Sequence, residues 1–344
     1  MKKRPDGRYV KAITDPKTHK RIYFFGATER EVYKKILEYT KKQEKGKTFR
    51  EIAEIWWSEI YEELAHQSLK GYKPAYARAV EFFGDDYVRD IEPHDVLAFY
   101  KNLVSLDYTQ KTISNYRIII NQIFDRAIVE KEIQYNPCSA VKIPKTRKKS
   151  VPRKPASTND EETILKSDHP WLFPVVALLT GLRKGEILAL QWRDIDFAEK
   201  TISITKSVEH IGKKPHIKEP KTENGVRIVP LLDVLAERLK PLAEGAKPEH
   251  YLFSDDGGKT PLSEHRYTRL YKDYQRDVGI SATAHPLRKS YATIAVEEEV
   301  QPKDLQNALG HADITTTMNI YAAARKRATE NVAEKLNAKY SQDH

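Results

Sequence analysis

Residues 180–186 read Thr180-Gly181-Leu182-Arg183-Lys184-Gly185-Glu186, and the C-terminal half of the chain is best understood outward from them. Gly181 can hold a tight turn after an apolar run, which sets Arg183 just beyond the turn. Glu186 falls three residues later, on the same helical face, close enough to orient the guanidinium. His285-Pro286-Leu287-Arg288 repeats that logic, with a second arginine three residues from a histidine on a helix opened by proline. Leu309-Gly310-His311 presents another histidine behind a glycine. Ten residues on, Tyr321 follows a Thr-rich, helix-compatible stretch from Thr315 to Asn319.

Two arginines, two histidines and a tyrosine suit phosphoryl transfer to a phenolic oxygen. A phosphodiester gains charge in the transition state, and planar guanidinium forks bind its oxygens bidentately. A phenol of pKa about 10 needs a base or a strong positive field before it attacks at neutral pH. The departing 5′-oxygen needs a proton donor, a part that a histidine or lysine can fill. Sulfur ligands and a clustered carboxylate set are absent from the sequence, which disfavours a two-metal nuclease and leaves a covalent route with no cofactor. Singly, each motif has a plainer reading: a surface ion-pair arginine, a structural histidine, one of nineteen tyrosines. Their order and local patterns favour the chemical one.

Taken together, these stretches resemble the tyrosine recombinases, specifically the integrases of phages and of integrative or conjugative elements. The resemblance covers nearly the whole chain and is densest from Thr180 to Tyr321. TGLRKGEILAL at 180–190, followed by Trp192-Arg193-Asp194-Ile195-Asp196, is similar to the first catalytic box. KEPKTENGVRIVPL at 218–231 is similar to the hairpin with the catalytic lysine, and HPLRKSYAT and LGHADITTTMNIY to the second arginine and nucleophile boxes. The resemblance implies that Arg183 and Arg288 clamp the scissile phosphate and that Lys221 is the general acid. Lys213, Lys214 and Lys218 share its stretch. His285 is implied as proton acceptor or phosphate ligand, His311 as a phosphate hydrogen bonder, Tyr321 as nucleophile and Glu186 as support behind them. Lys289 stands where the family commonly has a second histidine, a departure that leaves the HxxR core intact. The competing readings are a type IB topoisomerase and a DNA-binding regulator that has lost catalysis.

The distribution of charge agrees with a nucleic-acid partner. The net charge is +10, and residues 1–46 hold fourteen Lys/Arg against six Asp/Glu, a net of +8. Residues 142–154 (KIPKTRKKSVPRK) hold seven bases and no acids, leaving a net of −5 elsewhere. Two short basic blocks thus carry the positive field, as polyanion binding requires. No apolar run approaches a membrane span and no secretory h-region follows the N-terminal Met1-Lys2-Lys3-Arg4-Pro5. Cys138 is the one cysteine, so an internal disulfide framework and a multi-cysteine zinc site are excluded and a cytoplasmic setting is expected.

The fold class expected is multidomain α+β. Residues 1–46 read as short strands (Tyr9 to Ile13, Arg21 to Phe25) and a helix capped by Thr28 and Glu31, with Val32, Ile36 and Tyr39 as its apolar stripe. The resemblance makes this a small arm-binding domain. Residues 47–141 read as all-helical, with a capping box at Thr48 and Glu51, a helix opened by Pro93, and another over Thr112 to Val129. They resemble the core-binding domain, and Trp56, Trp57, Phe82 and Phe83 are expected in its core. Residues 142–155, with Pro144, Pro152 and Pro155, read as an extended basic linker whose Arg147, Lys148 and Lys149 contact the DNA backbone. Residues 156–344 are expected to be a mainly helical catalytic domain with a small antiparallel sheet (Thr201 to Lys206, Gly225 to Pro230), a buried helix over Pro170 to Leu179, and a tail. That tail has an apolar stripe at Ala328, Val332 and Leu336 and is expected to pack on a neighbouring protomer. Double-stranded DNA at core and arm sites, a homo-tetramer on DNA, accessory DNA-bending or excision factors and no membrane complete the partners implied.

Overall fold

The computed structural model describes residues 1–14, 20–63, 66–149, 154–212, 214–219 and 225–325. Two units, Met1–Val151 and Pro152–His344, divide the chain. Lys221 and the expected tail stripe at Ala328, Val332 and Leu336 lie outside the described residues.

In the first unit, β-branched and aromatic runs give β1 (Lys2–Lys3), β2 (Tyr9–Thr14) and β3 (Arg21–Gly26), an antiparallel sheet in that order with Val10 opposite Phe25. Helix α1 (Glu29–Lys45) follows. The Thr28 hydroxyl accepts from the Glu31 amide at 3.2 Å, while the Glu31 carboxylate reaches one residue further back than a standard box, to the Ala27 amide at 2.8 Å. Val32 is fully buried, and Phe24 meets Tyr39 with ring centroids 5.3 Å apart. Because side chains alternate along a strand, Tyr23 and Phe25 face the other way. There Arg4 and Arg8 lie 5.5 and 5.9 Å over the Phe25 ring, and Tyr23 is exposed.

Four helices continue this unit: α2 (Phe49–Glu63), α3 (His66–Phe83), α4 (Pro93–Ser105) and α5 (Gln110–Val129). The capping box at Thr48 and Glu51 forms in full, at 2.9 and 3.3 Å. Helix α5 starts two residues before the expected Thr112, because the Thr109 hydroxyl caps the Thr112 amide. Phe49, Phe83, Phe99 and Phe124 make a ring cluster with neighbouring centroids about 5.2–5.3 Å apart. Trp56 and Phe83 are buried as expected and Trp57 is half-buried, whereas Phe82 sits at the edge of the core, 38% exposed. Residues 142–149 form neither helix nor strand. Thr146 ties them to the bundle, its amide donating to Gln110 and its hydroxyl to the Tyr108 carbonyl.

The second unit opens with α6 (Thr158–Lys166), α7 (Phe173–Thr180) and α8 (Lys184–Ala189). Helix α7 begins three residues later than Pro170. The His169 ring accepts from the Trp171 amide at 3.1 Å, and Leu172 is the non-helical cap. Short strands β4 (Ile195–Asp196), β5 (Thr201–Ile204) and β8 (Arg227–Pro230) form a sheet in that order. Between β5 and β8 the polar stretch folds as a hairpin of β6 (Ser207–Ile211) and β7 (Lys214–Lys218), in which Val208 pairs with Ile217. Helices α9 (Asp233–Ala243), α10 (Glu264–Val278), α11 (Ala284–Glu297), α12 (Pro302–Leu309) and α13 (314–325) follow. Phe173, Tyr267, Tyr271 and Tyr274 anchor the core, and α7 is apolar on every side. Among the described residues no helix is long and apolar enough to cross a membrane.

Candidate active site

Helix α7 ends on Gly181, whose φ of +64° is a left-handed conformation. A Cβ there would lie 2.4 Å from the Tyr291 ring, so a larger residue has no room. The turn delivers Arg183 as the N-cap of α8, where two of its groups reach one carboxylate. Its amide donates to Glu186 Oε2 and its Nη1 to Oε1, each at 2.8 Å. The spacing of three residues thus forms the contact that the sequence predicts.

Glu186 is buried and has a second arginine on it. Arg227, from β8, donates through Nη1 to Oε1 at 3.1 Å and through Nη2 to Oε2 at 2.8 Å. Burial by itself raises the carboxyl pKa, but the Arg227 bonds and charge, then those of Arg183, outweigh it and hold Glu186 down at about 2. Arg227 was legible only as part of a strand-like run. Val226 and Ile228 face solvent and Arg227 is turned inward, the reverse of the usual alternation, and no local feature of the sequence says which face is which.

Helix α12 gathers the arginines. Arg227 Nε donates to the Ala308 carbonyl at 2.8 Å, Arg288 Nη2 to Leu309 at 2.7 Å, and Arg183 Nη2 to Gly310 at 2.9 Å. The three carbonyls preceding His311 therefore each accept from a different arginine. A helix C-terminus carries partial negative charge, which suits cations there. Arg288, 8% exposed, also donates to the Gly181 carbonyl at 2.6 Å and so joins the ends of α7 and α12. Gly310 has φ +61°, and a Cβ on it would lie 2.9 Å from Arg227.

These contacts leave an excess of positive charge: three guanidiniums against one carboxylate. Burial, and then repulsion from Arg183, lowers Arg288 to about 9. Burial and the charges of Arg288, Arg183 and Arg227 push His311 down to about 4, so its ring is neutral at neutral pH. Its Nδ1 lies 3.0 Å from the hydroxyl of the fully buried Thr317. Beside this cluster lies a cavity of about 300 Å³ lined by Arg183, Glu186, Lys206, Lys218, Gly225 and Gly310 among others. An anion there would meet the unbalanced charge.

The remaining predicted residues are placed as follows. His285 is exposed on the first turn of α11, three residues before Arg288. Lys206 and Lys218 are each held by a carboxylate, Asp194 at 3.0 Å and Glu209 at 2.7 Å, while Lys214 is exposed on β7. Tyr321 lies on α13, its ring against the small cluster of Ala292, Leu305 and Leu309. Its hydroxyl donates to the Val300 carbonyl, its one hydrogen bond among the described residues. Burial and the nearby Asp304 carboxylate raise its pKa. The fold therefore brings Arg183, Glu186, Arg288 and His311 together, adds Arg227, and holds the Tyr321 hydroxyl on a different partner. In the other unit Arg147, Lys148 and Lys149 are exposed, and Lys148 pairs with Asp107 at 2.8 Å.

Comparison with known proteins bears on the same region. Residues 169–328 match the phage integrase family. The ICEBs1 integrase of Bacillus subtilis is 28% identical over 270 residues, covering 75% of this chain and 73% of its own length. A XerC-like tyrosine recombinase of Caldanaerobacter subterraneus subsp. tengcongensis is 26% identical over 356 residues, covering 91% and 90%. Among solved structures, a lambda integrase tetramer bound to a Holliday junction superposes with a TM-score of 0.60 at 20% identity, covering 91% of this chain and 95% of that one. The arginine boxes and the tyrosine box lie inside the matched residues, so residues 169–328 form a phage integrase domain, the domain with which tyrosine recombinases cleave and rejoin DNA in site-specific recombination.

Proposed function

We propose that this chain integrates and excises a mobile element through a 3′-phosphotyrosyl intermediate on Tyr321. The observation that carries this reading is the convergence of Arg183, Arg288 and His311 beside a cavity whose positive charge one carboxylate does not balance. A scissile phosphate there receives guanidinium forks from Arg183 and Arg288 and a hydrogen bond from neutral His311, with Glu186 holding Arg183 in place. The Tyr321 oxygen bonds to phosphorus as the bond to the 5′-oxygen breaks. The phenolic proton passes to His285, and Lys221 protonates the departing 5′-oxygen. Lys218, held by the Glu209 carboxylate, is the poorer donor of that stretch, and Lys221 takes the role by its place in the resembling hairpin box. A 5′-hydroxyl of the partner duplex then attacks the phosphotyrosine and restores a phosphodiester, conserving bond energy through both steps. Tyr321 must leave the Val300 carbonyl before it attacks.

In the same reading, residues 1–46 bind arm-type sites. The sheet face with Arg4, Arg8 and Phe25, beside exposed Tyr23, offers cations and rings to the duplex. Residues 47–141 grip the core site, residues 142–155 lie along the phosphate backbone, and residues 156–344 carry the chemistry. Two duplexes present four strands to cut, so four copies each supply one tyrosine, the stoichiometry named for lambda integrase on its junction. The protein acts in the cytoplasm, with DNA-bending or excision factors setting direction. A nicked suicide substrate tests the chemistry: wild-type protein becomes covalently attached and Tyr321→Phe binds without attachment. If peptide mapping places the DNA on another residue, the reading fails. Strand exchange between paired sites, rather than relaxation alone, separates recombination from topoisomerase action.

A further inference from the structure

We infer that Arg227 is a positioning residue for cleavage, acting through Glu186 to set Arg183 against the scissile phosphate. It rests on the recombinase reading of the site, and it concerns a residue outside the arginine and tyrosine boxes. Arg227 projects from β8 with its side chain 6% exposed, so it is no surface ion-pair partner. Its fork takes both oxygens of Glu186, and the same oxygens receive the amide and Nη1 of Arg183. Glu186 is thus a bridge between two guanidiniums, one buried and one exposed toward the cavity. The bond from Arg227 Nε to the Ala308 carbonyl fixes the remaining edge of that guanidinium to α12, two residues before the Gly310 carbonyl that holds Arg183. The close approach of Gly310 to Arg227 leaves little slack in that arrangement. A rigid anchor behind Glu186 converts a flexible surface arginine into an oriented one, and small misplacements of a phosphate-binding group cost up to about 10²-fold in rate.

A buried arginine could serve folding alone, and the test separates the two roles. Arg227→Lys keeps the charge but cannot fork onto Glu186 while also reaching Ala308. Arg227→Met combined with Glu186→Gln removes both charges and leaves no orphaned carboxylate in the interior. DNA affinity, melting temperature and single-turnover cleavage of a nicked suicide substrate are measured for each. The expected result is DNA affinity within about twofold of wild type for both variants, and melting within a few degrees for the double variant. Cleavage falls by ~10- to 100-fold in both. Wild-type cleavage by either folded variant overturns the inference, as does a cleavage loss in both that disappears once folding is restored at lower temperature. Absence of any adduct with wild-type protein would instead count against the recombinase reading.

Discussion

Tyr321 donates its phenolic hydrogen to the carbonyl of Val300, so the free chain holds its proposed nucleophile on a bond that reaction has to break. Its raised pKa and its carbonyl partner both keep the oxygen protonated in this position. On the proposed mechanism Tyr321 moves before it attacks, and that motion can be watched. With 3-fluorotyrosine placed at position 321, the free protein should give one fluorine resonance and the complex with uncleaved core DNA a shifted one. An unchanged resonance in a cleavage-competent complex would show that the Val300 contact is no obstacle.

Arg288→Gln should bind DNA yet lose about 10²–10³ in single-turnover cleavage, the effect of removing one preplaced donor from a developing charge. The buried carbonyls of Gly181 and Leu309 lose their partner at the same time, so a lower melting temperature should accompany the loss. Cleavage within threefold of wild type would remove Arg288 from the phosphate clamp.

Thr317 sits against His311 Nδ1, and its hydroxyl can fix which ring nitrogen carries the proton. If the hydroxyl donates, the hydrogen is left on Nε2, free for a phosphate oxygen. Thr317→Val should slow cleavage roughly tenfold, the equivalent of one hydrogen bond of about 1.4 kcal/mol, while Thr317→Ser stays near wild type. Equal rates for the two variants would mean that the hydroxyl has no part in the reaction.

His311 also makes stability depend on pH. Its folded pKa of about 4 lies below the ordinary 6.5, so between those values the unfolded chain binds the proton first. Stability therefore rises with pH across this window and is lost as pH falls from 6.5 through 4. Glu186, held down at about 2 against an ordinary 4.5, loses its contribution only at lower pH. Melting temperatures at pH 7 and pH 5 should fall further apart in wild type than in His311→Gln.

Gly310→Ala should destabilise the second unit by about 1–2 kcal/mol, since an L side chain at φ +61° is strained and its Cβ meets Arg227. Because Arg183 is bonded to the same residue's carbonyl, cleavage should drop as well. Thermal melting and the suicide-substrate assay read the two effects separately.

Much of this site was legible because its contacts are local or lie beside a glycine. Arg183 and Glu186 are three residues apart, and Gly181 and Gly310 mark the helix ends that present Arg183 and His311. Arg227 and the α12 carbonyls were not legible. They meet Glu186 and Arg288 across gaps of 41 and 21 residues, and only a folded chain makes such neighbours. The β6–β7 hairpin was hidden for a different reason: its strands mix lysine, histidine and proline with few apolar residues, so period-two alternation hardly shows. The start of α7 was misjudged at Pro170 because a histidine ring, rather than a standard N-cap side chain, takes the preceding amide.

Helix α12 spans only Pro302–Leu309, yet arginines from three distant parts of the chain end on its final carbonyls. Such a short element has little intrinsic stability, so whatever tilts or frays it takes one acceptor from each of the three cations at once and leaves Arg183 and Arg227 on Glu186 and Arg288 on Gly181. A disturbance of this one helix end is consequently felt by every guanidinium of the centre. The same eight residues precede the stretch leading to Tyr321, so the element on which the cations end also sets where the helix bearing the tyrosine begins.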